Sequence, residues 1–131
     1  MTGMSEITVR AAHRLLIDYT RDMALSDEDP AQIVDRTFTE DAVWVTDGTD
    51  LSRDQLIAHA APARKNVTAS QMQIDDLLAD DHRFAARCRL NTEHRKLGHM
   101  VIEWILVGEI AEDGRVQHIH QLGRTCRAGE T

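Results

Sequence analysis

The chain has 131 residues, 42% of them hydrophobic, and carries 15 Lys and Arg against 22 Asp and Glu, a formal charge of −7. That length suits one domain around one core, here residues 8–124 with frayed ends before Glu6 and from Thr125. No basic stripe exists to neutralise phosphates, so no nucleic-acid partner is expected. There is no apolar run of about 18 residues and no charged-then-apolar leader, so neither a membrane span nor a signal peptide is expected. Cys88 and Cys126 form no metal spacing, and Cys126 falls in the polar tail. Reduced thiols in a cytoplasmic protein are the simplest reading.

Ile7 to Leu25 carries Ala12, Leu15, Leu16, Tyr19 and Met23 on one i, i+3, i+4 stripe, which predicts an amphipathic helix. Asp29 caps a short second helix with Pro30 at its first position, where a missing N–H costs nothing. Ile33, Val34 and Phe38 are its apolar positions. A short strand, Ala42–Thr46, and a loop at Asp47–Asp50 follow. Ser52 and Gln55 form a capping box for a third helix that ends near Ala61. Pro62 to Thr68 reads as a linker.

From Ala69 the apolar period changes to two. Met72, Ile74 and Leu78 mark one strand, and Phe84, Ala86, Cys88 and Leu90 mark the next. A three-residue loop at Arg95–Leu97 would set Cys88 opposite Trp104 and Leu90 opposite Ile102. The last two strands meet at Asp113-Gly114, read as a two-residue type I′ turn. Counting from it sets Glu112 opposite Arg115, Ile110 opposite Gln117, Glu109 opposite His118, and Leu106 opposite Gln121. One face then holds Met100, Ile102, Trp104, Leu106, Ile119 and Gln121. The other holds Glu103, Val107, Glu109, His118 and His120, with an ion pair expected between Arg89 and Glu103. Segregated helices and an antiparallel sheet mean α+β.

The order of elements, with FTEDAVWVTDG after the second helix and EDGRVQHIH at the last turn, resembles the nuclear transport factor 2-like superfamily and its SnoaL-like branch. The resemblance implies a cone-shaped curved antiparallel sheet packed on three N-terminal helices, with a pocket at the open end. It also implies cofactor-free isomerase, dehydratase or polyketide cyclase chemistry on a small apolar ring compound, or a ligand-binding module without catalysis. Homodimers through the outer sheet face are expected from the same source.

On that resemblance Tyr19 matches the tyrosine that holds the oxyanion in the steroid isomerases. Their base falls at Thr46, with Asp47 one place on. Their second acid falls near Ile105 or Leu106, both aliphatic here. The acid that hydrolases and many cyclases place seven residues after the turn glycine is Gln121, which can hydrogen-bond a ligand but cannot exchange a proton. Trp44 and Trp104 are candidate pocket walls. His118 and His120, alternate residues on one face, are candidate acid-base groups. A metal there would need Glu109, Glu103 or His99 as further ligands, and none is expected.

Overall fold

The structure, a computed structural model, describes residues 4–126. The first helix is built of three joined segments: α1 (Met4–His13), a π-helical stretch (Arg14–Tyr19) and α2 (Thr20–Leu25). His13, Tyr19 and Thr20 all keep right-handed helical backbone, so the chain does not break at the joints. The predicted stripe is buried along its length, and Thr8 and Ala11 join it. The helix already includes Ser5, where fraying was expected; residues 1–3 lie outside the described residues.

Asp29 caps α3 (Pro30–Thr37) by accepting from the Ala31 N–H at 3.0 Å, with Pro30 first in the helix. Phe38 leaves the helix and starts β1 (Phe38–Thr46), four residues earlier than the alternation at Ala42–Thr46 suggests. The expected loop after it is a hairpin. Asp47 (φ +48°) and Gly48 (φ +85°) join β1 to β2 (Thr49–Leu51), with Thr46 opposite Thr49. Both central residues have φ > 0, the signature of a type I′ turn.

The Ser52–Gln55 capping box forms and starts α4 (Arg53–Ala58). The expected linker is helix instead: α5 (Ala60–Asn66) follows His59 directly. Pro62 sits in its first turn, where backbone N–H groups have no helical partner to lose. This helix carries Arg64, whose guanidinium donates to the carbonyls of Met23 (3.2 Å), Asp22 (3.1 Å) and Glu28 (2.7 Å) and to the Ser26 hydroxyl. A cation there satisfies the last carbonyls of α2 and complements its dipole. Arg64→Met keeps the aliphatic stem and removes these charge-assisted bonds. It should cost about 1.5–3 kcal/mol in denaturant unfolding.

The rest is strand: β3 (Val67–Ala79), β4 (Arg83–His94), β5 (Gly98–Ile110) and β6 (Val116–Cys126). With β1 and β2 they form one six-stranded sheet in the order β2-β1-β6-β5-β4-β3. It is mixed, because β1 runs parallel to β6. The β4–β5 register is the predicted one, Cys88 opposite Trp104 and Leu90 opposite Ile102. Cys126 ends β6 buried, opposite Val101, rather than in a frayed tail; residues 127–131 lie outside the described residues.

The β5–β6 turn differs from expectation in an instructive way. Only Gly114 has φ > 0 there (+85°), and its N–H donates to the Ala111 carbonyl at 2.9 Å. Ala111 then faces Arg115, and Ile110 faces Val116 rather than Gln117. The loop is therefore one residue longer than two. A register shift past Ile110 takes up the extra residue, so Glu109 still opposes His118 and Leu106 opposes Gln121. Two one-residue offsets cancel, and the assignment of faces stands. Leu106, Ile119 and Gln121 are buried, while Val107, Glu109 and His120 are exposed.

The expected Arg89–Glu103 ion pair does not form, although the two residues are opposite. Arg89 instead makes two bonds to the Asp75 carboxylate, each 3.0 Å, and Glu103 accepts from Arg124 at 3.1 Å. A planar guanidinium favours the bidentate geometry that Asp75 on β3 offers.

Candidate functional site

Between the inner sheet face and the helices lies a cavity of about 510 Å³. Its apolar wall includes Met23 of α2, Leu56 of α4, and Trp44, Ile102 and Trp104 of the sheet. Four rings, Tyr19, Phe38, Trp44 and Trp104, pack together through T-shaped and tilted contacts. Tyr19 meets Phe38 in a T-shaped contact at 5.1 Å, and Trp44 lies 6.1 Å from Tyr19 and 5.9 Å from Trp104. Such pairs fix ring orientation beyond what burial alone would do.

Tyr19 comes from the last position of the π-helical stretch and lines the cavity. Its side chain is buried, yet among the described residues its hydroxyl has no hydrogen-bond partner. Burial pushes the phenol far above its ordinary range, so it keeps its proton and can donate.

Gln121 is held differently. Parallel pairing sets Thr46 beside Gln121 and Trp44 beside Ile119, so Trp44, Thr46 and Gln121 share the inner face. The Trp44 indole N–H donates to Gln121 Oε1 at 2.7 Å. An indole can only donate, so the amide must present its oxygen to Trp44 and leave its NH₂ for the cavity. That nitrogen lies beside Gly123, 3.5 Å from where a Cβ would stand.

Asp47 lines the cavity together with Thr46. In an extended strand adjacent residues point to opposite faces, which would set one of the two outside. Asp47 escapes that rule because it has left the strand for a left-handed turn conformation. Its N–H donates to the Gln121 carbonyl at 3.0 Å, and its Oδ1 accepts from the Gly123 N–H at 3.0 Å. The second carboxylate oxygen takes no part in these bonds. Asp at positive φ is the ordinary occupant of a type I′ Asp-Gly turn, so the turn itself sets where the carboxylate points.

His118 and His120 do not line the cavity. Both lie on the outer face, opposite Glu109 and Val107. Among the described residues no group of three or more His, Cys, Asp or Glu side chains is arranged to hold a metal ion. Two other histidines do reach the cavity: His59, between α4 and α5, and His94, at the end of β4. Neither stood out in the sequence, because both fall at element ends where no periodicity says which way a side chain faces. His94 Nδ1 accepts from the Lys96 and Leu97 N–H groups at 3.1 and 3.2 Å. Cys88 is fully covered by the core, and burial, with Asp75 adding, pushes its thiol up to about 11.

No family model matches the chain, and no curated protein matches it. Solved structures do. A candidate SnoaL-like polyketide cyclase from Jannaschia sp. CCS1 superposes with a TM-score of 0.71 at 10% identity, over 94% of this chain and 89% of that one. An epoxide hydrolase from M. tuberculosis, of the kind abbreviated LEH-like, gives 0.69 at 16% identity, over 95% and 83%. IdmH, a candidate polyketide cyclase from Streptomyces antibioticus, gives 0.69 at 12% identity, over 88% and 91%. Identities this low speak for architecture, and the architecture agrees over nearly the whole described chain. The chain therefore has the α+β fold of these SnoaL-like structures.

Proposed function

We propose that this protein binds a small apolar ring compound in the cavity and moves a proton on it without a cofactor. The observation that carries the reading is a single cavity lined by a protonated phenol without a hydrogen-bond partner among the described residues, Tyr19, and a carboxylate, Asp47. In this reading the free oxygen of Asp47 takes a proton from a carbon next to a ligand carbonyl. The electron pair moves onto the carbonyl oxygen, and Tyr19 donates to the oxyanion as it develops. Returning the proton to another carbon gives isomerisation. A hydroxyl on the carbon beyond the carbanion can instead take the proton from Asp47 and leave as water, giving dehydration. Attack of the carbanion on a second carbonyl, whose oxygen takes the proton, gives cyclisation. The SnoaL-like cyclases and isomerases among the structural neighbours support this range and do not choose within it.

Asp47→Asn is the experiment that separates chemistry from fold. Asn tolerates the left-handed backbone and its amide oxygen can accept from the Gly123 N–H, but it is no base. Proton exchange on a ring-ketone ligand, followed by deuterium incorporation, should fall at least 100-fold with melting temperature nearly unchanged. Undiminished exchange would remove Asp47 from the mechanism.

The alternative is a ligand-binding module without catalysis. Gln121 in place of an acid favours it, as does the exposure of Asp47 to solvent. A ligand that stabilises the protein but shows no exchange in the parent chain would decide for it.

The outer sheet face supports a homodimer. Ile105, Val107 and Leu122 are exposed, at 57%, 47% and 61%, and they sit together because Ile105 is opposite Leu122. Light scattering should give twice the chain mass. Leu122→Glu should return it to the monomer, since a carboxylate there would be desolvated on association.

A further inference from the structure

We infer that the ligand of this cavity carries a hydrogen-bond acceptor at each of two ends, separated by an apolar body. This rests on the reading of the cavity as a small-molecule site and goes on to name the ligand's chemistry. One donor is the Gln121 NH₂, turned into the cavity because Trp44 holds the amide oxygen. The other is His94. Its Nδ1 accepts from two main-chain N–H groups of the β4–β5 turn, so it carries no proton. The proton of the neutral ring must then sit on Nε2, which is left as a donor on the cavity side. His94 cannot accept from the ligand without giving up the turn bonds that orient it, while Gln121 has one of its oxygen's two lone pairs committed to Trp44 and its NH₂ free to donate.

The two donors lie at opposite ends of the sheet's inner face. Leu106 of β5 is opposite Gln121, and Gly98 of β5 is opposite His94, a separation of 106 − 98 = 8 residues along one strand. At about 3.3 Å per residue this is at most about 26 Å before curvature shortens it. Met100, Ile102 and Trp104, the inward residues between them, line the same cavity. The arrangement suits an elongated, flat, apolar molecule with carbonyl-type oxygens at both ends. A diol suits the His94 end less well, because a hydroxyl that accepts from the fixed Nε2–H must find another acceptor for its own proton, whereas at the Gln121 end the Asp47 carboxylate can take it.

The probes are the diacetyl derivatives of benzene, biphenyl and terphenyl, each beside its mono-acetyl counterpart and its diol. Affinity is measured by calorimetric titration of the full chain. One of the three lengths should bind at least tenfold tighter as the diacetyl than as the mono-acetyl compound, and the matching diol should bind more weakly than the diacetyl. His94→Asp keeps an acceptor for the turn and carries no N–H on its side chain, so it loses the distal donor. Trp44→Phe with Gln121→Leu removes the other donor and its partner together, leaving no orphaned N–H. Each variant should erase the diacetyl advantage while retaining mono-acetyl binding, with folding checked by melting temperature. Equal affinity for mono-acetyl and diacetyl compounds at every length, or preference for the diol, would overturn the two-ended assignment and leave the cavity reading standing. If no probe binds at all, the small-molecule reading of the cavity falls, and this inference with it.

Discussion

Gly108→Ala should destabilise the protein by at least about 1–3 kcal/mol, the ordinary cost of forcing a methyl into a filled core. Gly108 is opposite Phe84 across the β4–β5 pair, and the Phe84 ring lies directly over the glycine. A Cβ built there would stand 2.3 Å from the tip of the ring and 2.5 Å from the next carbon. Phe84 is itself 2% exposed, so the ring has no solvent to swing into. Phe84→Leu should recover part of the loss when combined with Gly108→Ala, and a double-mutant cycle in denaturant isolates that coupling. A Gly108→Ala protein as stable as the parent would mean that the ring does not pack on the glycine.

Tyr19→Phe should have the largest effect on chemistry and almost none on stability. The substitution keeps the ring that meets Phe38 at 5.1 Å and removes only a hydroxyl without a hydrogen-bond partner among the described residues. Losing an oxyanion donor of this kind costs about 100- to 1,000-fold in turnover. Stability should hold, and the pH dependence should change with a definite sign. In the parent the folded phenol titrates above its unfolded value of about 10, so the unfolded chain loses its proton first. Stability from this group is present below that value and drains away as pH rises above it. The Tyr19→Phe protein should lack that alkaline loss. A clear fall in melting temperature at neutral pH would instead show that the hydroxyl is a structural hydrogen-bond donor.

What the sequence made legible follows from how local each signal is. The stripe on the first helix, the Asp29 cap and the Ser52–Gln55 box each need only neighbours within a turn or two, and all three form as expected. The register from Phe84 onward was legible because faces must match apolar to apolar across short loops. At Asp113-Gly114 a longer loop and a compensating register shift reached the expected faces by another route.

Less was visible where partners are distant or an element ends. Nothing in the chain around Val43–Thr46 says that it pairs in parallel with β6, more than seventy residues on, yet that pairing places Trp44 against Gln121. Alternation alone could not say which way Asp47 faces, since a left-handed turn residue obeys no strand periodicity. Pro62 concealed α5, and with it Arg64, because proline is tolerated in a first turn while it reads as a breaker in the sequence. Tyr19, Trp44, Thr46, Asp47, Trp104 and Gln121 all line the cavity; His118 and His120 stand on the other side of the sheet. One sheet separates two surfaces that the sequence alone left competing for the same role.

The most direct test is a nuclear magnetic resonance titration with a ring compound that raises the melting temperature of the full chain. The Trp44 indole N–H, bonded to Gln121 inside the cavity, reports the inner face, and the His118 and His120 ring protons report the outer one. Saturable shifts at Trp44 and Gln121, with His118 and His120 unmoved, are the predicted result. Saturable shifts confined to His118 and His120 would contradict the assignment of the site to the cavity.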